Sequence, residues 1–444
     1  MGMKWWRKFL CLLWAALAWV HLAHAQESKI VRALDIASVW SAHPVGFCLV
    51  THAPHQFVAF YDAERRLTVA QRKLDQSQWS LTVLPVTTGW DSHNYVTMAL
   101  DAEGFLHLSG NMHCSALTYF RSEKPYDARS LVQHPSMVGK DESRTTYPQF
   151  FVGPDDSFIF MYRDGSSGDG NQIFNRYDPK SRTWKRLLDT PLTDGQGLRN
   201  AYFCGPVLGP DGYYHVSWVW RETPDASTNH DLSYARSKDL VHWQTASGKP
   251  LALPIKRADG ATIDAVPQQG GLINGNHQLG FDAQGRVTIS YHKNDEKSHT
   301  QPWIARFEAA GWKFYQVTDW PWHWDFSGGG TLPFAIRLGA VTAQAGGDMT
   351  MSYRHPKFGA GTWKLDPTTM RVLGQAAVIK RPRSMAKVEG DFVGLTVKVL
   401  EDSRKSKTGL RYVLRWETLG ANRDLPIPPP WPKPSMLRMY ELSE

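Results

Sequence analysis

The feature that most restricts what this chain can fold into is a repeat. Five times a strand-like run enters a turn, acidic and glycine-containing in most copies, and leaves as an alternating strand. Residues 94–110 read NYVTMALDAEGFLHLSG, 147–163 YPQFFVGPDDSFIFMYR, 202–221 YFCGPVLGPDGYYHVSWVWR and 276–292 NHQLGFDAQGRVTISYH, with a weaker copy, LGAVTAQAGGDMTMSYR, at 338–354. Each is a two-strand hairpin. The strand candidates FVAFYD (57–62) and LRYVLRW (410–416) bring the number of units to seven, their second strands about 50 to 70 residues apart. The alternation has period two, and 19 Trp, 16 Tyr and 19 Phe stand beside 36 Gly and 27 Pro, which excludes helical repeats. An all-β, seven-bladed β-propeller is the expected fold. WKRLL after Trp184, VHWQTA around Trp243, WKFYQV after Trp312 and the Thr362-Trp363 pair are expected to supply outer strands, and ARSKDLVHW (Ala235 to Trp243) reads as a degenerate Asp-box turn.

Before Pro426–Pro434, PIPPPWPKP lacks any rival as a linker, so residues 26–444 are expected to form one domain, with the terminal LRMYELS returning to pair with IVRALDI near the start. Residues 1–25 carry Lys4, Arg7 and Lys8, an apolar run, and Ala23-His24-Ala25, the pattern of a cleaved signal peptide. The apolar run is too short for a stable span, and the context of Cys11 is wrong for lipid attachment. A periplasmic or secreted protein is expected. Losing the leader removes three of 50 Lys and Arg and none of 42 Asp and Glu, so the formal charge falls from +8 to +5. A basic exported protein suits an acidic glycan better than nucleic acid, whose binders carry a denser patch than the short KRPR at Lys380 to Arg383. Cys48, Cys114 and Cys204 allow at most one internal disulfide, and buried thiols are the plainer expectation.

In a propeller the start of the first strand and the end of the second converge near the axis. Those places hold Asp91, His93, Asn94, Asn111 and His113, then Tyr147, Tyr162 and Arg163, then Tyr202, Trp220 and Arg221, then Asn276, His277, Tyr291, His292, Tyr353 and Arg354. Any one of these is easily a capping residue at a strand end. Their recurrence in five units points to a funnel lined by His, Tyr, Arg and Asn. Ordinary glycoside hydrolysis wants two carboxylates, and this rim is poor in Glu. The supply of His, Tyr and Arg suits β-elimination on a uronic acid: a cation neutralises the carboxylate, a neutral His or a Tyr with a lowered pKa removes the C5 proton, and Tyr or His protonates the departing C4 oxygen.

The segments Asp91 to Arg121, Tyr162 to Asp178, Trp218 to Ser237, Asn276 to Asp295 and Asp319 to Gly330 resemble the BNR-repeat family of seven-bladed propellers that includes the ulvan lyases and rhamnosyl-glucuronate lyases. The resemblance covers roughly residues 55 to 375. It implies eliminative cleavage of a polysaccharide of rhamnose and glucuronate, with His93, His113, Tyr147 and Arg163 as the catalytic set. Arg163 and His93 would neutralise the carboxylate, Tyr147 or His113 would be the base and Tyr147 the acid. Asn94, Asn111, Tyr202, Arg221, His277, His292, Tyr353 and Arg354 are expected to bind substrate.

No cofactor is required for such a reaction. His230 in the NHD triplet and Cys204 are the candidate ligands of a structural Zn or Ca ion, though their spacing fits no zinc motif. GSSGDG (Gly165 to Gly170) reads as a hairpin loop, not a phosphate loop. Trp322 or Trp324 is a candidate sugar-stacking platform. The competing readings are a rhamnosidase-like or sialidase-like hydrolase and a non-catalytic carbohydrate-binding propeller. The former lacks an RIP motif, and the latter has no need of the titratable quartet.

Overall fold

The computed structural model describes residues 27–402 and 409–443; the signal peptide expected at 1–25 lies outside them. The described residues form thirty strands and six short 3-10 turns, with no α-helix among them. The fold is all-β. Strands pair antiparallel into four-stranded units spanning 48–87, 96–134, 145–186, 200–244, 278–316 and 342–375. A seventh unit combines Thr396–Glu401, Leu410–Thr418 and Ser435–Ser443 with Lys29–Val39 from the other end of the chain. The third and fourth units touch edge to edge through one parallel pair, Gly170 with Asn200, and the fifth and sixth through Phe281 with Thr342.

Each hairpin seen in the sequence is the first two strands of a unit, and the acidic turn has a mechanical reason. Asp101 Oδ1 accepts from the amides of Glu103 (3.0 Å) and Phe105 (2.9 Å), while Gly104 takes φ +87°. Asp282 repeats this on Gln284 and Arg286, with Gly285 at +75°. One carboxylate thus satisfies two amides of a tight turn in which glycine supplies the left-handed residue. In the Asp-box-like segment, Asp239 Oδ1 accepts from Val241 and His242, and buried Trp243 donates to Leu240.

Second strands are largely buried because both their faces are covered in most units. Phe57–Tyr61 and Trp218–Trp220 are buried residue after residue, since each unit packs face to face on its neighbours. Separate apolar clusters occupy the seam from the seventh through the first to the second unit, and those of second with third, third with fourth, fourth with fifth and fifth with sixth. Trp184, Trp243 and Trp312 lie on fourth strands as expected, but Thr362-Trp363 lies on a third strand, Gly359–Leu365, with Val372–Gln375 outside it. The terminal strand sits between Leu410–Thr418 and Lys29–Val39. The proline-rich stretch connects two strands of one unit and lays half-exposed Trp431 against Trp90, ring centroids 5.6 Å apart. No helix of the described residues is long and apolar enough to cross a membrane.

Candidate functional site

The strand ends of the second to fourth units and the loops of the fifth and sixth enclose a cavity of about 370 Å³. Its wall includes His93, His113, Cys114, Tyr147, Ser166, Ser167, Tyr202, Arg221, Asn274 and Phe334, and none of its lining residues carries a carboxyl group.

Asp91 organises the first wall from behind. Its Oδ1 caps the 3-10 turn Ser92–Asn94 through the His93 amide (2.8 Å) and also meets His93 Nδ1 (2.8 Å), while Oδ2 meets His113 Nδ1 (2.5 Å). The two imidazoles stack, centroids 3.9 Å apart. Burial alone would raise the Asp91 carboxyl, but the bonds from His113 and His93 more than reverse that and hold it well below the usual carboxylate range. An ionised carboxylate at both Nδ1 atoms makes these the donors, so each Nε2 stands outside this pairing. Asp91, His93 and His113 are also the one group of the described residues with metal-ligand geometry.

Tyr147 forms the adjoining wall, its ring 5.5 Å from that of His93. It sits at φ +58°, where the pairing of Thr145–Val152 with Phe158–Ser166 shifts register between Thr146 and Gln149. Such a bulge breaks strand alternation and re-aims a side chain, and a left-handed tyrosine costs roughly 1–3 kcal/mol. Burial pushes the phenol up and Tyr202 adds to this; Arg163 and Arg221 oppose without reversing it. The Tyr147 phenol is therefore held in its protonated form, in contrast to the lowered pKa expected of a tyrosine base.

Arg163 departs from expectation too. It is 1% exposed and absent from the cavity wall, donating to Gly165 O (3.1 Å) and Thr146 Oγ1 (3.0 Å). Its guanidinium lies 5.0 Å from the Tyr147 ring centre and 5.8 Å from that of Tyr202. The arginine on the wall is Arg221, held by Thr223 O (3.0 Å) and Asn274 Oδ1 (3.2 Å) and 5.6 Å from the Tyr202 ring. Tyr202 bonds Ser167 of the GSSGDG hairpin tip, which is a two-strand turn with Ser166 opposite Asp169.

Other expected substrate contacts lie elsewhere. His277 and His292 are each 1% exposed in the interior, and burial lowers both to about 4. Asn94 and Asn111 bond Thr88 and Thr87 O just outside the wall. Tyr353 stacks on Trp363 at 3.8 Å, and Arg354 donates to Phe334 O. Trp322 packs edge-on against His355, and Trp324 is buried beside Phe334; neither lines the cavity.

The structure does not bring His230 and Cys204 into one ligand group. Carboxylates occupy both His230 nitrogens, Glu222 at 2.7 Å and Asp231 at 3.0 Å, and these acids are paired in turn with Arg199 and Arg257. Cys204 is a thiol in the apolar seam of the fourth and fifth units, and Cys114 is a thiol at the cavity.

Asp424, in the loop leading to the proline-rich stretch, was missed. Its Oδ1 accepts from Ser92 N (3.1 Å) and Oγ (2.9 Å), its Oδ2 from Thr331 N (2.7 Å) and Oγ1 (2.9 Å), and Oδ2 lies 3.5 Å from His93 Nδ1. A loop residue 332 positions from Ser92 leaves no periodic signal. Tyr147-Pro148 did leave one, because proline inside a strand marks a bulge or an edge.

Residues 55–320 match the family described as BNR repeat-containing family member. Ulvan lyase, long isoform, of Glaciecola sp. (strain KUL10) is 33% identical over 145 residues, 29% of this chain and 14% of that one. That of Pseudoalteromonas sp. (strain PLSV) is 25% identical over 126 residues, 26% of this chain and 13% of that one. This chain thus spans a small fraction of the length of the curated relatives it matches. Among solved structures, polysaccharide lyase Uly1 superposes with TM-score 0.60 at 15% identity, covering 92% of both chains. A PL25 ulvanlyase bound to -[GlcA(1-4)Rha3S]- gives TM-score 0.61 at 14% identity, covering 93% of this chain and 96% of that one. Likeness at such identity is one of fold. The family match spans more than half of the chain and coincides with the hairpin units that build the cavity, so this protein belongs to the BNR-repeat family.

Proposed function

We propose that this protein is an exported polysaccharide lyase that cleaves a uronate-containing glycan, of the rhamnose and glucuronate type, by β-elimination on a seven-bladed propeller. Seven four-stranded units support the blade count, the last completed by both ends of the chain. So does a cavity to which five consecutive units contribute.

The observation that carries the reaction is the composition of the wall: two histidines, two tyrosines, an arginine and no carboxyl group. Hydrolysis by paired carboxylates has no groups to use there, since the nearby Asp91 is committed to both imidazoles. Elimination has what it needs. Arg221 and the Nε2–H of a His93 whose Nδ1–H stays on Asp91 meet the uronate carboxylate, with the buried charge of Arg163 behind Tyr147 adding to the field, and the C5 proton becomes acidic. His113 Nε2 takes that proton, the C5 electron pair forms the C4=C5 double bond, and the C4–O bond breaks. The Tyr147 hydroxyl gives its proton to the leaving oxygen. The relatives of known name point the same way: the ulvan lyases matched in sequence, and the fold neighbour bound to a glucuronate–rhamnose chain.

The test is the ultraviolet absorbance of the unsaturated uronate after incubation with glucuronate polysaccharides. A rise with the parent chain, lost in His113→Ala and lowered on the order of 10² to 10⁴ in kcat by Tyr147→Phe with binding retained, is expected. New reducing ends without that chromophore would replace elimination with hydrolysis. Binding with neither product would leave a carbohydrate-binding propeller.

A further inference from the structure

The seam between the sixth and seventh units differs from the others. Apolar clusters fill the other seams, but among the described residues no buried apolar cluster joins these two units. Three cations gather there. Arg337 and Arg354 are direct partners in the antiparallel pairing of Arg337–Leu338 with Met349–His355, and like charges placed so repel. Both grip one residue of the cavity wall: the Arg337 guanidinium lies 4.0 Å from the Phe334 ring centre, and Arg354 donates to Phe334 O at 3.2 Å. Lys398, from the first strand of the seventh unit, feels both charges; burial first, then Arg337 and Arg354, lower its ammonium. Burial, then Arg354, bring Arg337 down to about 10, so it stays cationic at neutral pH.

Arginines on strands of the neighbouring fifth unit and of the seventh unit are neutralised: Arg306 by Glu308, Arg415 by Glu417 and Arg438 by Asp35. Among the described residues no ion pair neutralises Arg337, Arg354 or Lys398, and no acid appears among the charges acting on Arg337 or Lys398. A repelling cross-strand pair left uncompensated costs stability. Beside a cavity that receives an acidic polymer, the same pair has a use.

We propose that Arg337, Arg354 and Lys398 form a second anion subsite, which holds an oxyanion of the glycan, a sulfate ester or a further carboxylate, on a sugar beyond the one that is cleaved. Two guanidiniums offer paired N–H donors to such a group, Lys398 adds a point charge, and the Phe334 ring separates this subsite from the cavity holding Arg221 and the histidines. The inference rests on the lyase reading for its substrate class.

The test compares the full chain with the triple variant Arg337→Gln/Arg354→Gln/Lys398→Gln and with the charge-keeping Arg337→Lys/Arg354→Lys. Turnover is measured on a sulfated glucuronate polymer and its desulfated counterpart, and binding of both by calorimetry. The triple variant is expected to raise KM and the dissociation constant at least ~10-fold, to leave kcat within about twofold, and to flatten the salt dependence of binding. Its melting temperature should stay level or rise, because a repulsion has been removed. The charge-keeping variant should retain the salt dependence and lose part of the affinity. A loss confined to the sulfated polymer assigns the site to a sulfate ester, and an equal loss on both to a carboxylate. Parent-like binding and salt dependence in the triple variant would overturn the subsite. If no chain turns over any polymer the lyase reading fails, while calorimetry still decides this one.

Discussion

Two pairs of histidines occupy corresponding places in two units and have opposite chemistry. His93 and His113 flank the first hairpin of the second unit, and His277 and His292 flank that of the fifth. The first pair reaches the cavity with side chains 17% and 31% exposed and shares Asp91. The second pair is buried, with no carboxylate among the groups acting on it, and burial holds both near pKa 4. Position in the repeat brings a histidine toward the middle of the molecule; of these two pairs, only the first meets an acid and the cavity there.

The largest expected effect removes that acid's charge while keeping its shape. Asp91→Asn puts an amide beside both Nδ1 atoms, so the tautomer with a free Nε2 loses its support. In a carboxylate–histidine pair of this kind the loss in kcat is on the order of 10³ to 10⁴. His277→Gln, at the matching place, should leave kcat within about twofold. Steady-state rates on one polymer decide it, and equal losses in the two variants would erase the distinction drawn here.

The buried pair has its own signature, in stability. A histidine near 4 when folded and 6.5 when unfolded takes up a proton only on unfolding in that window, so the unfolded state gains as pH falls from about 6.5 to about 4. The stability lost approaches 3 kcal/mol for each residue, as an order of magnitude. Denaturant midpoints between pH 7 and 4 should fall steeply for the parent chain and less steeply for His292→Leu. Parallel pH profiles would mean that His292 is protonated in the folded state after all.

Much of this was legible because hairpins repeat. Strand alternation, the Asp and Gly turns and the polar strand ends singled out His93, His113, Tyr147, Tyr202 and Arg221, which line one cavity. What failed was direction. A strand end has two faces, and sequence does not say which one turns into a seam between sheets: His277, His292 and Arg163 went inward. Asp91 was visible as an acid on the rim, but its role is a distance to two rings, which no spacing encodes. Tyr147 reaches the site through a bulge whose mark, Pro148, is readable only once the pairing partner is known. Arg337 lay outside the repeat because the sixth unit begins with two short pieces, Arg337–Leu338 and Thr342–Ala343, instead of one strand.

Asp424 offers the finest division of the cavity pair, because it touches the His93 side and not the His113 side. Its carboxylate accepts four hydrogen bonds, two from Ser92 and two from Thr331, and so ties the turn that carries His93 to the sixth-unit loop. Asn in its place turns an NH2 toward one pair of those donors, which costs roughly 1–2 kcal/mol of local order. The expected result of Asp424→Asn is a fall in kcat of about tenfold. If the effect runs through His93, then Asp424→Asn added to His93→Ala should cost no more than His93→Ala alone, while added to His113→Gln it should cost its full factor. Full additivity with His93→Ala would mean that the loop supports the cavity as a whole, and the two histidines would then share one scaffold instead of standing on separate ones.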